Sequence, residues 1–230
     1  MPQNDPHIWT PEGRHRVSGE TRGEERINML MHLAGLLLAI GGTATMISLA
    51  GIFGSAWHVV SFSIYGGTLV LIFAISTLYH GLHRPRTKRV LQVADHIGIF
   101  LFIAGTYTPF ALVALNGGWG WSIFGVVWGL AGVGIVLKIF FTGRFDLLST
   151  LLYIGLGWIV LVAVVPLVRA IPLGGLILLL AGGLAYTGGA AFYLWDRLPF
   201  SHAVWHGFVL LGSTCHFFAI LLYLLPHRVG

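Results

Sequence analysis

Seven stretches of the chain stay apolar for about 20 residues with few interruptions, the length that crosses a bilayer core of roughly 30 Å at about 1.5 Å per helical residue. They run Met29 to Ile52, Trp57 to Tyr79, His96 to Leu115, Trp121 to Phe141, Leu147 to Val168, Leu173 to Trp195, and Ala203 to Leu225. The pattern predicts an all-α integral membrane protein, a seven-transmembrane helix bundle. The connections are too short to hold a soluble domain, so any chemistry must be built from helix ends and the bundle interior. Before the first run, residues 1–26 are polar, with Pro2, Pro6, Pro11 and mixed charges, and lack the apolar core of a cleavable signal peptide. They read as a flexible polar cytoplasmic tail, and 27–226 as one seven-transmembrane domain.

Composition agrees with this class: 56% of the 230 residues are hydrophobic and only 9% charged, too few charges to cover a soluble domain of this size. Charge adds an orientation. Arg14, Arg16, Arg22 and Arg26 in the tail, Arg84, Arg86, Lys88 and Arg89 in the second connection, Lys138 and Arg144 around the fourth, and Arg197 in the sixth fall on one side; the other side has Arg169 and Arg228. Lysine and arginine are retained on the cytoplasmic side, which predicts a cytoplasmic N-terminus and, with an odd number of spans, a C-terminus outside. Trp57, Trp119 and Trp121 then fall at the outer interface and Trp195 at the inner one. The basic excess reports topology and anionic headgroups, and it calls for no nucleic-acid partner. Cys215 is the single cysteine, so no intramolecular disulfide can form. Glycines such as Gly125, Gly129, Gly182, Gly183, Gly188 and Gly189 read as sites of close helix approach. No internal repeat stands out, which counts against transporter folds built from paired halves.

Polar side chains are costly in a membrane, so their clustering is informative. The second run ends in Ser76 and His80, the third is preceded by Asp95, and the seventh opens with His202 and His206. By alternation of direction, all lie at cytoplasmic helix ends. Ser76 and His80 are four residues apart, as are His202 and His206, a spacing that places each pair on one helical face. His80, His202 and His206 supply three imidazoles, the number of side-chain ligands typical of a catalytic metal that keeps one position for water, and a three-histidine set without thiolates reads most simply as zinc. Asp95 is then placed to hold or deprotonate the metal water, and Ser76 to donate a hydrogen bond to a polarised carbonyl.

Each member also has an ordinary role. Asp95 and Ser201 stand where helix caps are expected, and a serine within a membrane helix often bonds back to its own backbone. The argument for a site is that His80, Asp95, His202 and His206 come from three helices and the charge count puts them at one depth. Glu25, Asn28 and His32 open the first run on the same side and share a face; they are assigned a supporting role, because four protein ligands would close the site to water. His216 lies on the face of His202 but ~20 Å further along the helix, too far to be a ligand. His83 and His96 carry no assigned role.

These residues together carry a resemblance. The chain resembles the bacterial hemolysin III proteins of the progestin and adipoQ receptor family from Glu24 to Leu225: Glu25, Asn28 and His32 match the opening E-x-x-N-x-x-x-H, Ser76 and His80 an S-x-x-x-H, Asp95 the aspartate before span three, and His202 and His206 the closing H-x-x-x-H. The resemblance implies an intramembrane zinc on His80, His202 and His206, with Asp95 near the metal water and Ser76 beside it. It also implies a bacterial inner membrane location and kinship with membrane hydrolases that include alkaline ceramidases. The long N-terminal domain of receptor-type members has no counterpart here, so hormone binding is not carried over.

Three functions follow as expectations. The first is a zinc-dependent hydrolase of a membrane lipid amide or ester, the substrate arriving laterally between helices. The second is a non-enzymatic sensor or regulator of the membrane with structural zinc, which a fourth protein ligand would favour. A cytolytic pore ranks last, because a pore needs polar residues through the full depth of several helices, whereas these gather at one end. Neither the lipid nor the oligomeric state is legible.

Overall fold

Within the residues described by this computed structural model, 7–195 and 197–225, seven helices are long and apolar enough to cross a membrane. Pro2, Pro6, Arg228 and the domain end at residue 226 lie outside the described residues. The spans are Arg22–Phe53, Ala56–Gly81, Pro85–Leu115, Gly117–Phe141, Asp146–Ala170, Leu173–Tyr193 and Ser201–Tyr223. Span one packs against spans two and seven, span three against two and four, and span six against seven. Aliphatic side chains such as Leu37, Leu38, Val162 and Leu173 face outward and exposed, as lipid contact requires.

The helices begin earlier than their apolar runs. Span one starts at Arg22, well before Met29, because Thr21 and Glu24 form a capping box: the Thr21 hydroxyl accepts from the Glu24 N–H at 3.3 Å and the Glu24 carboxylate accepts from the Thr21 N–H at 2.8 Å. Span three starts at Pro85, a residue suited to a first helical position because its missing N–H would have no partner there. Asp95 therefore stands ten residues inside a helix, and the capping role open to it in the sequence does not apply. Ser201 is the first residue of span seven; its cap is Phe200, in left-handed conformation at φ 58° and without a side-chain bond.

Two spans are broken within the membrane, and one side chain repairs the second break. In span three, Pro109 has no N–H to donate, and the helix widens into a π-turn over Phe110–Leu115 that ends with the Asn116 N–H on the Ala111 carbonyl at 2.9 Å. Span five narrows to a 3-10 stretch over Trp158–Ala163, shortly before Pro166. There the Tyr107 hydroxyl donates to the Gly157 carbonyl at 2.6 Å and accepts from the Val160 N–H at 2.9 Å. Tyr107 thus satisfies backbone groups that lipid would leave bare.

The starts of spans one, three, five and seven share one end of the bundle with the finishes of two, four and six. This histidine end carries the polar residues described next.

Candidate metal centre

Helical spacing brings the histidines together. His202 and His206, one turn apart on span seven, have ring centroids 4.4 Å apart; His80, near the end of span two, lies 5.4 Å from His202 and 5.2 Å from His206. His32 comes in from span one with its ring centroid 4.1 Å from that of His206. Among the described residues, His32, His80 and His206 form a buried set whose ligand atoms all lie within 4.8 Å of one another. The set shares His80 and His206 with the expected ligands and brings in His32 from the supporting group. His202 stands against two of these rings, with its Nδ1 3.5 Å from a Glu20 carboxylate oxygen.

The nitrogens are arranged as metal ligands would be. The Nε2 atoms of His80 and His206 are 3.2 Å apart. Two imidazoles on one tetrahedral zinc, at roughly 2.0–2.1 Å each, stand about 3.3 Å apart. His80 Nδ1 meets the Glu25 carboxylate at 2.9 Å. A proton donated there leaves the Nε2 lone pair directed at the cluster, the carboxylate–histidine relay that commonly orients metal ligands. Among the described residues, both His32 nitrogens, His202 Nε2 and His206 Nδ1 are buried with no hydrogen-bond partner, an expensive state for imidazole, and one nitrogen each of His32 and His202 is left free to complete a ligand set.

Glu25 is the hub of the polar network. It is fully buried: its Oε2 meets His80 Nδ1, while Oε1 accepts from Ser18 and pairs with Lys88 Nζ at 2.7 Å. Lys88, also fully buried, donates to the Tyr79 carbonyl at 2.7 Å and lies 4.5 Å from the centre of the Tyr79 ring. The sequence reading counted Lys88 only as a topological charge. Its trace in the sequence is the offset of seven from Asp95, which puts both on one face of span three. Asn28, three residues after Glu25 on span one, is buried with both amide atoms unpaired among the described residues.

Ser76 and Asp95 meet one helical turn from His80. The Ser76 hydroxyl donates to Asp95 Oδ1, so its proton is directed at the carboxylate. His216 is elsewhere, donating from Nε2 to the Leu179 carbonyl at 3.1 Å. His96 bonds the Gln92 carbonyl through Nδ1 at 2.7 Å.

Residues 7–21, read from the sequence as tail, fold back over this end. Two isolated β-bridges, Trp9 with His15 and Arg14 with Thr21, hold the segment together. His15, almost wholly buried, donates from Nε2 to the His83 carbonyl at 2.9 Å, and Trp9 meets His15 edge-on, His83 at a tilt and the Arg22 guanidinium across its face. Ser18 and Glu20 reach Glu25 and His202 from the same segment. Glu24 accepts from the Phe200 N–H at 3.1 Å, tying the start of span one to that of span seven. Burial, reinforced by Glu24 and Glu25, pushes the Glu20 carboxyl up to about 7, while burial lowers His15 and His83.

Comparison with known proteins places this constellation in a family context. The haemolysin-III related family matches residues 21–217. Hemolysin-3 of Bacillus cereus is 46% identical over 203 residues, covering 88% of this chain and 93% of that protein. The Hemolysin-3 homolog of Bacillus subtilis (strain 168) is 46% identical over 200 residues, covering 87% and 94%. The human Monocyte to macrophage differentiation factor is 27% identical over 224 residues, covering 95% and 90%.

Proposed function

The chain belongs to the haemolysin-III related family, and from that membership and the histidine geometry we propose a zinc-binding membrane protein that hydrolyses a lipid amide or ester at the histidine end of its bundle. The observation that carries the reading is the 3.2 Å approach of two Nε2 atoms, one held from behind by Glu25, among buried imidazole nitrogens with no other partner among the described residues. His80, His202 and His206 hold the ion in this reading, and His32 packs against His206 as support. When bound, zinc supplies a Lewis acid that polarises a carbonyl and acidifies water to near neutrality.

The chain's own residues do the rest. Glu25 fixes the His80 tautomer, and Lys88 supplies its buried counter-charge. Asp95 takes the proton released by water and returns it to the leaving amine or alkoxide. Ser76 orients the Asp95 carboxylate; its oxygen turns to a carbonyl only when that bond is released. The N-terminal segment keeps bulk water away, and substrate comes in from the membrane between helices. The count of lysine and arginine supports placing this end on the cytoplasmic side, and the Bacillus relatives support a bacterial membrane.

A second reading has its own observation. His32 lies within ligand distance of His80 and His206, and if it binds together with His202 the ion has four protein ligands and no open position. Zinc would then staple spans one, two and seven in a non-enzymatic sensor. The test is turnover by zinc-loaded full-length protein on a panel of ceramides and lipid esters, beside Asp95→Asn and His32→Phe. Hydrolysis abolished by Asp95→Asn at unchanged zinc content, with zinc retained in His32→Phe, supports the hydrolase. Absence of turnover together with zinc loss in His32→Phe favours the staple.

A further inference from the structure

Away from the histidines, a groove of about 190 Å³ opens between spans four and five at the same end of the bundle. Its walls are apolar, with Phe141, Phe145, Leu148 and Leu152 all substantially exposed. Two cations also line it, Lys138 and Arg144. No residue of the histidine cluster takes part.

Lys138 is the anomaly. It is 3% exposed, and its Nζ has no hydrogen-bond partner and no ion pair among the described residues. An ammonium at a membrane helix end normally snorkels to the headgroups or pairs with an anion. The one acid between Gly117 and Ala170 is Asp146, which is exposed, does not line the groove and acts on Lys138 only from beyond ion-pair distance. The Thr142 hydroxyl donates to the Lys138 carbonyl and the Ser149 hydroxyl to the Phe145 carbonyl at 3.1 Å, and neither oxygen accepts from Lys138 Nζ. Positive charge is therefore left facing an apolar trough at headgroup depth. Phe145 adds to the trough: it adopts φ 56°, a left-handed conformation rare for an aromatic residue, and the residue is 66% exposed.

We propose that this groove binds one anionic phospholipid of the leaflet at the histidine end, its phosphate between Lys138 and Arg144 and an acyl chain along Phe141, Phe145, Leu148 and Leu152. Charge selects the headgroup and the trough selects a lipid over a soluble anion. Rotation of the four-carbon Lys138 stem turns Nζ to the phosphate, and the exposed Arg144 guanidinium closes from the rim with its paired donors.

The test is native mass spectrometry of the detergent-purified full-length chain titrated with phosphatidylglycerol or phosphatidylcholine, with thermal unfolding followed in parallel. Wild type is expected to retain one phosphatidylglycerol in preference to phosphatidylcholine and to unfold at higher temperature with it. Lys138→Met is expected to weaken retention about fivefold or more, the rough contribution of one basic group at an anionic headgroup; Lys138→Arg is expected to keep it, and Leu152→Asp to lose the lipid with both cations in place. Equal retention of the two lipids, or retention unchanged in Lys138→Met, would overturn the site. A stabilisation by inorganic phosphate as large as that by phosphatidylglycerol would overturn its assignment to a lipid.

Discussion

At His80 the two ring nitrogens have different work. Nδ1 is engaged by Glu25 at 2.9 Å, and Nε2 faces His206 at 3.2 Å. Glu25→Gln exchanges the carboxylate for a weaker acceptor and leaves Lys88 without its counter-charge. Metal affinity is expected to fall roughly tenfold to a hundredfold, the usual cost of losing such a relay, as read by competition with a chelator; an unchanged affinity would detach Glu25 from the metal. Asp95→Asn is expected to keep the metal and lower hydrolysis by about a hundredfold or more. The histidines were legible because a titratable ring in an apolar run has few reasons to be there. Lys88 was not, since a basic residue between two spans already has an explanation in topology. Only the start of the helix at Pro85 turns it inward.

At the scale of elements, the sequence reading took spans three and five as continuous: Pro109 and Pro166 are visible in the chain but went unused, and the repair by Tyr107 has no local mark at all. It depends on a contact across 50 residues that no local pattern encodes. Tyr107→Phe removes both bonds and is expected to destabilise the protein by about 1–3 kcal/mol, measured as loss of thermal stability in detergent. The N-terminal segment was illegible for another reason: its polar composition fits a solvated tail, and its order comes from docking Trp9, His15 and Ser18 onto the spans. Burial lowers the His15 pKa below its usual value near 6.5. The undocked segment therefore binds more protons than the docked one as pH falls below that value, and docking weakens. The groups facing His15 are His83, Lys88 and Glu25. Relative to His15→Gln, wild type is expected to lose amide protection over residues 7–21 between pH 7 and 5, as read by hydrogen exchange. Glu20, held near 7, titrates in both proteins and cancels in the difference. Equal loss in the two proteins would remove His15 from the account.

For the whole molecule, hydropathy carried the architecture, because a bilayer imposes one length on every span. Orientation rests on charge, and it is open to a direct check. In intact cells an impermeant maleimide should label Ala170→Cys and leave Arg197→Cys unlabelled, since the two exposed positions lie at opposite ends of the bundle; the reverse result would invert the topology. The assembly of spans one, two and seven around four imidazoles is the central structural claim, and metal content tests it most directly. Elemental mass spectrometry of detergent-purified wild type, without added metal, is expected to give about one zinc per chain, lost in both His80→Ala and His206→Ala because the remaining ligands are too few to retain it. Folded wild type that carries no zinc even after zinc is supplied would contradict the metal centre and reduce the cluster to packing between helices.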